Sequence, residues 1–336
     1  MPGAGIPLEG KQISKDDTIR KVIDAEAKLQ QERDKTRALK KDRDLLLAEF
    51  NDFRNQRKIR PFRTSRKKRI KEDRIRISFG DMHGMRMERS VVDALLNDLR
   101  KLRPDEIVMG GDMLECGGWL AKHHTPGYVA QCDYSYQEDV AATNWFLDEI
   151  RKAAPEAEVY WLEGNHDERV EKWIVDETLS HRRDAEFLTH LISPRQLLYL
   201  EDRRVRIIRR SDRTEPRLPY GWLRLGKMFY THELTSGKTA AQRAAAATAG
   251  NVTFFHTHQA STAYVMYPTV GIVKAHCPGC LSELQPMWRH SQPTNWSHGY
   301  SIEVIAKSDN FQHIHVPIWK GESLGCALLD RKPRGE

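Results

Sequence analysis

From Arg74 onward, short apolar runs alternate with polar clusters. Ile75–Phe79, Ile107–Met109, Val159–Leu162, Met228–Tyr230 and Val252–Phe255 are too short for helices and rich in β-branched or aromatic residues, so they predict strands. Between the first of them, Ser90 to Lys101 and Glu138 to Ala153 carry helical periodicity, and strand–helix alternation predicts an α/β fold. Ala263–Met266, Gly271–Lys274, Ser301–Ala306 and Phe311–Pro317 alternate with period two, which predicts a second layer of sheet.

The pattern upstream is different. Residues 1–15 read as a leader, and from Asp17 to Gln56 the chain is rich in Glu, Lys, Arg, Gln, Ala and Leu with no Pro or Gly, a helix-favouring composition. Leu39, Leu46 and Phe53 are seven apart, as are Val22 and Leu29, but the two series are out of phase. Either a docking or coiled-coil helix, able to bind a second copy or a protein partner, or a solvated helix fits this segment. Residues 57–71, RKIRPFRTSRKKRIK, then supply nine cations (Arg57, Lys58, Arg60, Arg63, Arg66, Lys67, Lys68, Arg69 and Lys71) with no acidic residue. Charge at this density repels itself and calls for an anionic partner, for which a nucleic-acid backbone, DNA first, is the natural candidate; a solvated linker is the alternative.

Composition changes the picture in one respect. Over 336 residues, 54 Lys and Arg stand against 47 Asp and Glu, a net charge of +7 that belongs to the N-terminal segment, with the remainder close to neutral. Five cysteines form no disulfide ladder, and no stretch reads as a signal peptide or membrane span, so a soluble cytoplasmic protein is expected, in host cytoplasm if the gene is viral.

The chemistry lies where the predicted strands stop. The segments read ISFGDMH, with Asp81 and His83; IVMGGDM, with Asp112; YWLEGNHD, with Asn165, His166 and Asp167; MFYTHE, with His232; and TFFHTHQ, with His256 and His258. Any one of these is an ordinary polar turn. Five strand ends all bearing oxygen or nitrogen ligands point to one crevice, since ligands in α/β folds gather at strand ends. A shell of carboxylate, amide oxygen and imidazole without thiolate suits Mn²⁺, Fe²⁺, Zn²⁺ or Mg²⁺ rather than a Cys-rich structural zinc.

In this order FGDMH, GGD, GNHD, the single His232 and HTH resemble the motifs of the calcineurin-like metallophosphoesterases, over roughly residues 74–320. The resemblance implies an α/β two-sheet sandwich flanked by helices, with an N-terminal charged helical extension. It divides the chain into a basic extension and linker over 1–73, a catalytic domain over 74–320 and a tail over 321–336. It further implies two divalent metals, Mn²⁺ first: Asp81, His83 and His258 at one, Asn165, His232 and His256 at the other, and Asp112 bridging. His166 would act on the phosphate and Asp167 would orient His166 by a hydrogen bond. Hydrolysis would proceed by in-line attack of a metal-activated hydroxide. Two positions depart from the family pattern: Phe255 stands where Gly commonly precedes the last motif, and Glu233 follows His232 where Gly is frequent.

Around this core, Arg86 and Arg169 lie close enough in sequence to reach a phosphate. The long segment over residues 113–137 carries Trp119, His123, His124, Tyr128 and Tyr134, which would line a lid or substrate wall or pack the loop on itself. AHCPGCL holds a C-x-x-C that lacks the second pair of a zinc knuckle and reads as a turn with small buried thiols, Cys277 and Cys280. Trp288, Trp296 and Trp319 are expected to pack the second sheet, and PTNWSHGYS resembles an active-site-side loop of bacteriophage-encoded family members. The expected function is phosphodiester hydrolysis, as a DNA nuclease. The alternatives are a phosphatase or phosphodiesterase on a small nucleotide or phosphoprotein, and a non-catalytic metal-bearing scaffold that recruits a partner.

Overall fold

The computed structural model describes residues 24–35, 37, 40–41, 73–121, 134–178, 182–286 and 293–325. The chain divides into two compact units, Met1–Arg60 and Pro61–Glu336. In the first, residues 24–35 are helical, and Gln30 donates to Asp34 at 3.2 Å while Lys35 donates to Glu32 at 3.1 Å. Such pairs one turn apart support a helix through its own side chains. Leu39, Leu46, Phe53, the basic residues Arg57, Lys58, Arg60, Arg63, Arg66, Lys67, Lys68, Arg69 and Lys71, and the loop residues His123, His124 and Tyr128 lie outside the described residues.

The second unit is built from β1 (Arg74–Phe79), α1 (Arg89–Leu102), β2 (Glu106–Met109), α2 (Tyr136–Ala153), β3 (Glu158–Leu162), α3 (Arg169–Thr178), α4 (Arg182–Ile192), α5 (Pro194–Leu197) and β4 (Val205–Ile208). There follow β5 (Leu223–Leu225), β6 (Met228–Thr231), α6 (Ala240–Thr248), β7 (Asn251–Phe254), β8 (Ser261–Tyr267), β9 (Gly271–Cys277), β10 (Gly299–Ile305), β11 (Phe311–Trp319) and β12 (Glu322–Ser323). A seven-stranded sheet runs β12-β11-β10-β1-β2-β3-β4 and a five-stranded sheet β5-β6-β7-β9-β8. β1 to β4 are mutually parallel, as are β6, β7 and β9.

The two anticipated helices form with ends moved by a residue or two. α1 buries Val91, Val92, Leu95, Leu96 and Leu99, a stripe at helical spacing, and α2 starts at Ser135, whose hydroxyl accepts from the Glu138 amide. Ile75, Ile77 and Phe79 of β1 face these helices, in one core with Ile107, Met109, Val159 and Trp161. Val108, Tyr160 and Ile208 meet Leu223, Met228 and Tyr230 between the sheets, and α6 packs Ala241, Ala244 and Ala245 against the outer face of the second sheet. The order of layers is therefore helix, sheet, sheet, helix.

One anticipated layer is corrected. β8 and β9 extend the second sheet, but β10 and β11 do not; they add antiparallel to β1 on the first. β10 is buried on nearly every residue, as suits an interior strand between β1 and β11, whereas β8 is mostly exposed or half-buried at an edge. Period-two alternation reports that a strand has two faces, not which sheet offers it a free edge. Elements not anticipated from the sequence are α3, α4, α5, β4, β5, α6 and β12, whose buried positions are few or alanine.

The inter-sheet layer also carries charge. Arg76, 2% exposed, donates to Glu106 at 2.7 Å, to Glu303 at 3.0 Å and to Tyr230 on the opposite sheet at 3.0 Å. Charges buried to this depth persist only when paired. Trp319 is 74% exposed at the end of β11 instead of packing the second sheet.

Candidate metal centre

Parallel strands deliver their carboxyl ends to one edge, and here two sheets do so together. Asp81 and His83 follow β1, Asp112 follows β2, and Asn165, His166 and Asp167 follow β3; His232 follows β6, and His256 and His258 follow β7. Three groups of potential ligand atoms lie within 4.8 Å of one another: Asp81, His83 and His258; His83, Asp112 and His166; and Asp112, His232 and His256. His83 belongs to the first two of them and Asp112 to the last two. Asn165 Oδ1 lies 3.1 Å from His232 Nε2.

The backbone is strained where the ligands sit. Asp81, His83, Asp112, His256 and His258 all have positive φ, from 50° to 72°. Each costs roughly 1–2 kcal/mol in an L-residue and persists only where surrounding bonds hold it. Those bonds cross between the strand-end loops: Asp81 N to Gly111 O and His83 N to Asp112 O, both 2.9 Å, and Phe255 N to His232 O at 3.0 Å. A Cβ on Gly164 would stand 2.1 Å from Asp112 Oδ1, so this glycine lets the end of β3 approach the Asp112 carboxylate. Phe255, the departure from the family pattern, is fully buried, and a Cβ on Gly110 would lie 2.2 Å from its ring. The ring fills space left by neighbouring strand ends and removes no ligand. Glu233, the other departure, has its carboxylate 2.6 Å from Arg210 and 3.7 Å from His256.

The donors fit divalent ions. His83 Nδ1 faces Glu115 Oε2 at 2.8 Å and His232 Nδ1 faces the Gly110 carbonyl at 2.7 Å, so each ring directs Nε2 inward. His83 Nε2 and His258 Nε2 then point at each other across 3.1 Å. Outer partners that fix the tautomer are characteristic of metal-binding imidazoles. Burial opposes protonation of His232 and His258, but the Asp112 and Asp81 carboxylates outweigh it and push their pKa values up to about 9 and about 10. Burial likewise disfavours ionised Asp112, yet His232 and His166 hold it well below the usual carboxylate range.

The expected Asp167–His166 hydrogen bond is corrected by the structure. The Asp167 carboxylate instead accepts from the amides of Asp112 (2.9 Å), Leu114 (3.0 Å) and Gly164 (2.8 Å) and from Trp161 Nε1 (3.0 Å), tying the β2 and β3 loops together. His166 is oriented by the loop after β2: its Nδ1 lies 2.6 Å from the Glu115 carbonyl and 3.4 Å from the Glu115 carboxylate. Arg169 donates to His166 Nε2 at 2.9 Å. Burial lowers the His166 pKa, but Asp112 and Glu115 more than compensate and leave it raised.

Glu115 was missed in the sequence, although it stands three residues beyond Asp112. It is 3% exposed and bonded to both His83 and His166, and these partners hold its carboxyl far below the ordinary range against the opposing effect of burial. Arg86 pairs with Glu283 at 2.9 Å and lies 3.9 Å from Glu115. Trp296 was expected in the second sheet; it lies against His258, ring centroids 4.0 Å apart. Cys277 and Cys280 are buried and free, and Cys280 N donates to Ser297 O at 2.9 Å, so the C-x-x-C is a structural turn behind the centre.

A two-sheet α/β sandwich with paired clusters of N and O ligands at its strand ends defines the class as a metal-dependent phosphoester hydrolase. The family model for calcineurin-like phosphoesterases matches residues 77–268, more than half of the chain, and the chain belongs to that family. No curated protein matches it in sequence at a significant level. Among solved structures it is similar to the phosphoesterase Yfce from E. coli, at 15% identity over 72% of this chain and 98% of that one, with a TM-score of 0.32. It is also similar to vacuolar protein sorting 29 from Cryptosporidium parvum, at 8% identity over 75% and 95% of the chains and a TM-score of 0.35. TT1561 of Thermus thermophilus gives 10% identity over 72% and 99%, with a TM-score of 0.31. Among the described residues no helix is long and apolar enough to cross a membrane.

Proposed function

We propose that this hydrolase cleaves phosphodiesters in DNA with Mn²⁺ as its metal. The observation that carries the polymer substrate is the run of nine cations without an acid over residues 57–71, two residues ahead of β1 in the sequence. Asp81, His83 and His258 would hold one ion and Asn165, His232 and His256 the other, with Asp112 shared. Ions so placed neutralise phosphate oxygens and lower the pKa of a bound water. The chain's own groups do the rest. Arg169 donates to His166 Nε2 here; with that donor turned to a phosphate oxygen, His166, its pKa raised, would be free to pass a proton to the leaving oxygen. Glu115 holds His166 and His83 in register.

The test is a substrate panel with a charge-neutralised variant of the full chain. Single- and double-stranded DNA, RNA, a cyclic nucleotide, bis(p-nitrophenyl) phosphate and a phosphomonoester are compared with Mn²⁺, Mg²⁺, Zn²⁺ or chelator. Arg66, Lys67, Lys68 and Arg69 changed together to Gln should reduce the slope of log affinity for duplex DNA against log salt by roughly 3–4, while small-diester hydrolysis is retained. An unchanged slope removes the role given to the basic run, and preference for the monoester removes the nuclease reading.

A further inference from the structure

The cavity at the metal centre, about 400 Å³, continues past the ligands along Ser236, Lys238, Gln259, Asn295 and Trp296. That volume falls in the range of ligand-sized pockets. Three separate loops build this extension. Ser236 and Lys238 come from the connection between β6 and α6, Gln259 follows His258, and Asn295 and Trp296 precede β10. The last loop is stitched to the centre by Ser297 N to His258 O at 3.0 Å and Ala260 N to Ser297 Oγ at 2.9 Å. Trp296 is half-buried, its indole held against the His258 ring. Lys238 is exposed and, among the described residues, pairs with no carboxylate.

We propose that this extension is a nucleoside subsite, which takes the base on the non-leaving side of the scissile phosphate; this rests on the phosphodiesterase reading above. Each wall matches one part of a nucleotide. An indole immobilised at the cavity wall offers a stacking surface that every base can use, and stacking of this kind contributes enough to change affinity roughly 5- to 150-fold per base. The side-chain amides of Gln259 and Asn295 carry donors and acceptors together, as a base edge requires. Lys238, exposed where it lines the cavity, would supply a cation for the next phosphate of a polymer. A small aliphatic phosphomonoester offers neither a ring for the indole nor an edge for the amides. The metal cluster names the bond cut, and these residues name what is attached to it.

The experiment uses the Mn²⁺-loaded full chain and three diesters with the same p-nitrophenolate leaving group. They are methyl p-nitrophenyl phosphate, thymidine 5′-(p-nitrophenyl phosphate), and the latter carrying a 3′-phosphate. The wild type should favour the thymidine ester over the methyl ester in kcat/KM by about tenfold or more, and gain again from the 3′-phosphate. Trp296→Ala should cut the thymidine-to-methyl ratio by about tenfold, and Lys238→Ala should abolish the extra gain from the 3′-phosphate. Trp296→Phe, which keeps a stacking face, should restore most of the ratio. Equal rates on methyl and thymidine esters in the wild type overturn the subsite. So does an equal loss on both esters in Trp296→Ala, which would make the indole only a support for His258. A wild type that hydrolyses none of the three removes the phosphodiesterase reading itself and the subsite with it.

Discussion

Replacing Glu115 separates positioning from ligation. Its carboxylate accepts from His83 Nδ1 at 2.8 Å and lies 3.4 Å from His166 Nδ1, while its carbonyl accepts from His166 Nδ1 at 2.6 Å and survives any substitution. The loss in Glu115→Ala therefore falls first on His83, whose buried N–H is left without an acceptor. Such a group costs about 1–3 kcal/mol, equivalent to roughly 5- to 150-fold in binding. This agrees with the 10- to 100-fold typical of partners that orient metal ligands. Glu115→Gln keeps an oxygen for His83 but removes the charge, so about tenfold is expected for it. Removing that charge also lowers the His166 pKa, so any rate that needs protonated His166 is lost at a lower pH than in the wild type. Metal affinity is measured by titration calorimetry on chelator-stripped protein, and kcat is followed against pH on bis(p-nitrophenyl) phosphate. If Glu115→Ala binds metal as tightly as the wild type with the same pH profile, the positioning role is refuted.

Two further outcomes follow from buried charge. Arg76→Met leaves Glu303 buried without its cation, while Glu106 keeps Arg74 at 3.1 Å, and should cost about 3–5 kcal/mol in urea unfolding. Burial and the Glu106 charge then favour protonated Glu303, so lowering the pH should recover part of the loss; a variant as stable as the wild type contradicts the network's role. In chelator-stripped protein, His232 and His258 are protonated at pH 7, their pKa values raised to about 9 and about 10. These raised values add stability that is fully present below the unfolded pKa near 6.5 and is lost as pH rises through 9 to 10. Imidazole must be neutral to bind a metal, so uptake at pH 7 should release about two protons and affinity should rise with pH. Calorimetry in buffers of different ionisation enthalpy counts them, and no release would contradict the raised values.

The candidate ligands could be read in the chain because each stands at the carboxyl end of a short apolar run, where a strand must turn and expose polar groups. Strand–helix alternation likewise marked α1, α2 and the parallel strands, since periodicity is a local property. Which sheet receives a strand is not local: β10 and β11 show the same alternation as β8 and β9, yet β10 pairs with the edge of β1 and β11 with β10. Asp167 and Glu115 show the same limit at the site. The family resemblance implied Asp167 as the partner of His166, but four donors from β3 and the converging β2 and β3 loops claim that carboxylate. Glu115, 51 residues upstream of His166, reaches the ring instead because β2 and β3 are paired in parallel. Trp296 reads as one more core aromatic until a loop bonded to His258 sets it beside the cavity. The sequence by itself determined the ligand types, their order and the strands that carry them. Only the packing of two sheets decided which of them meet, because hydrogen bonds go to the nearest donor in space rather than the next residue in the chain.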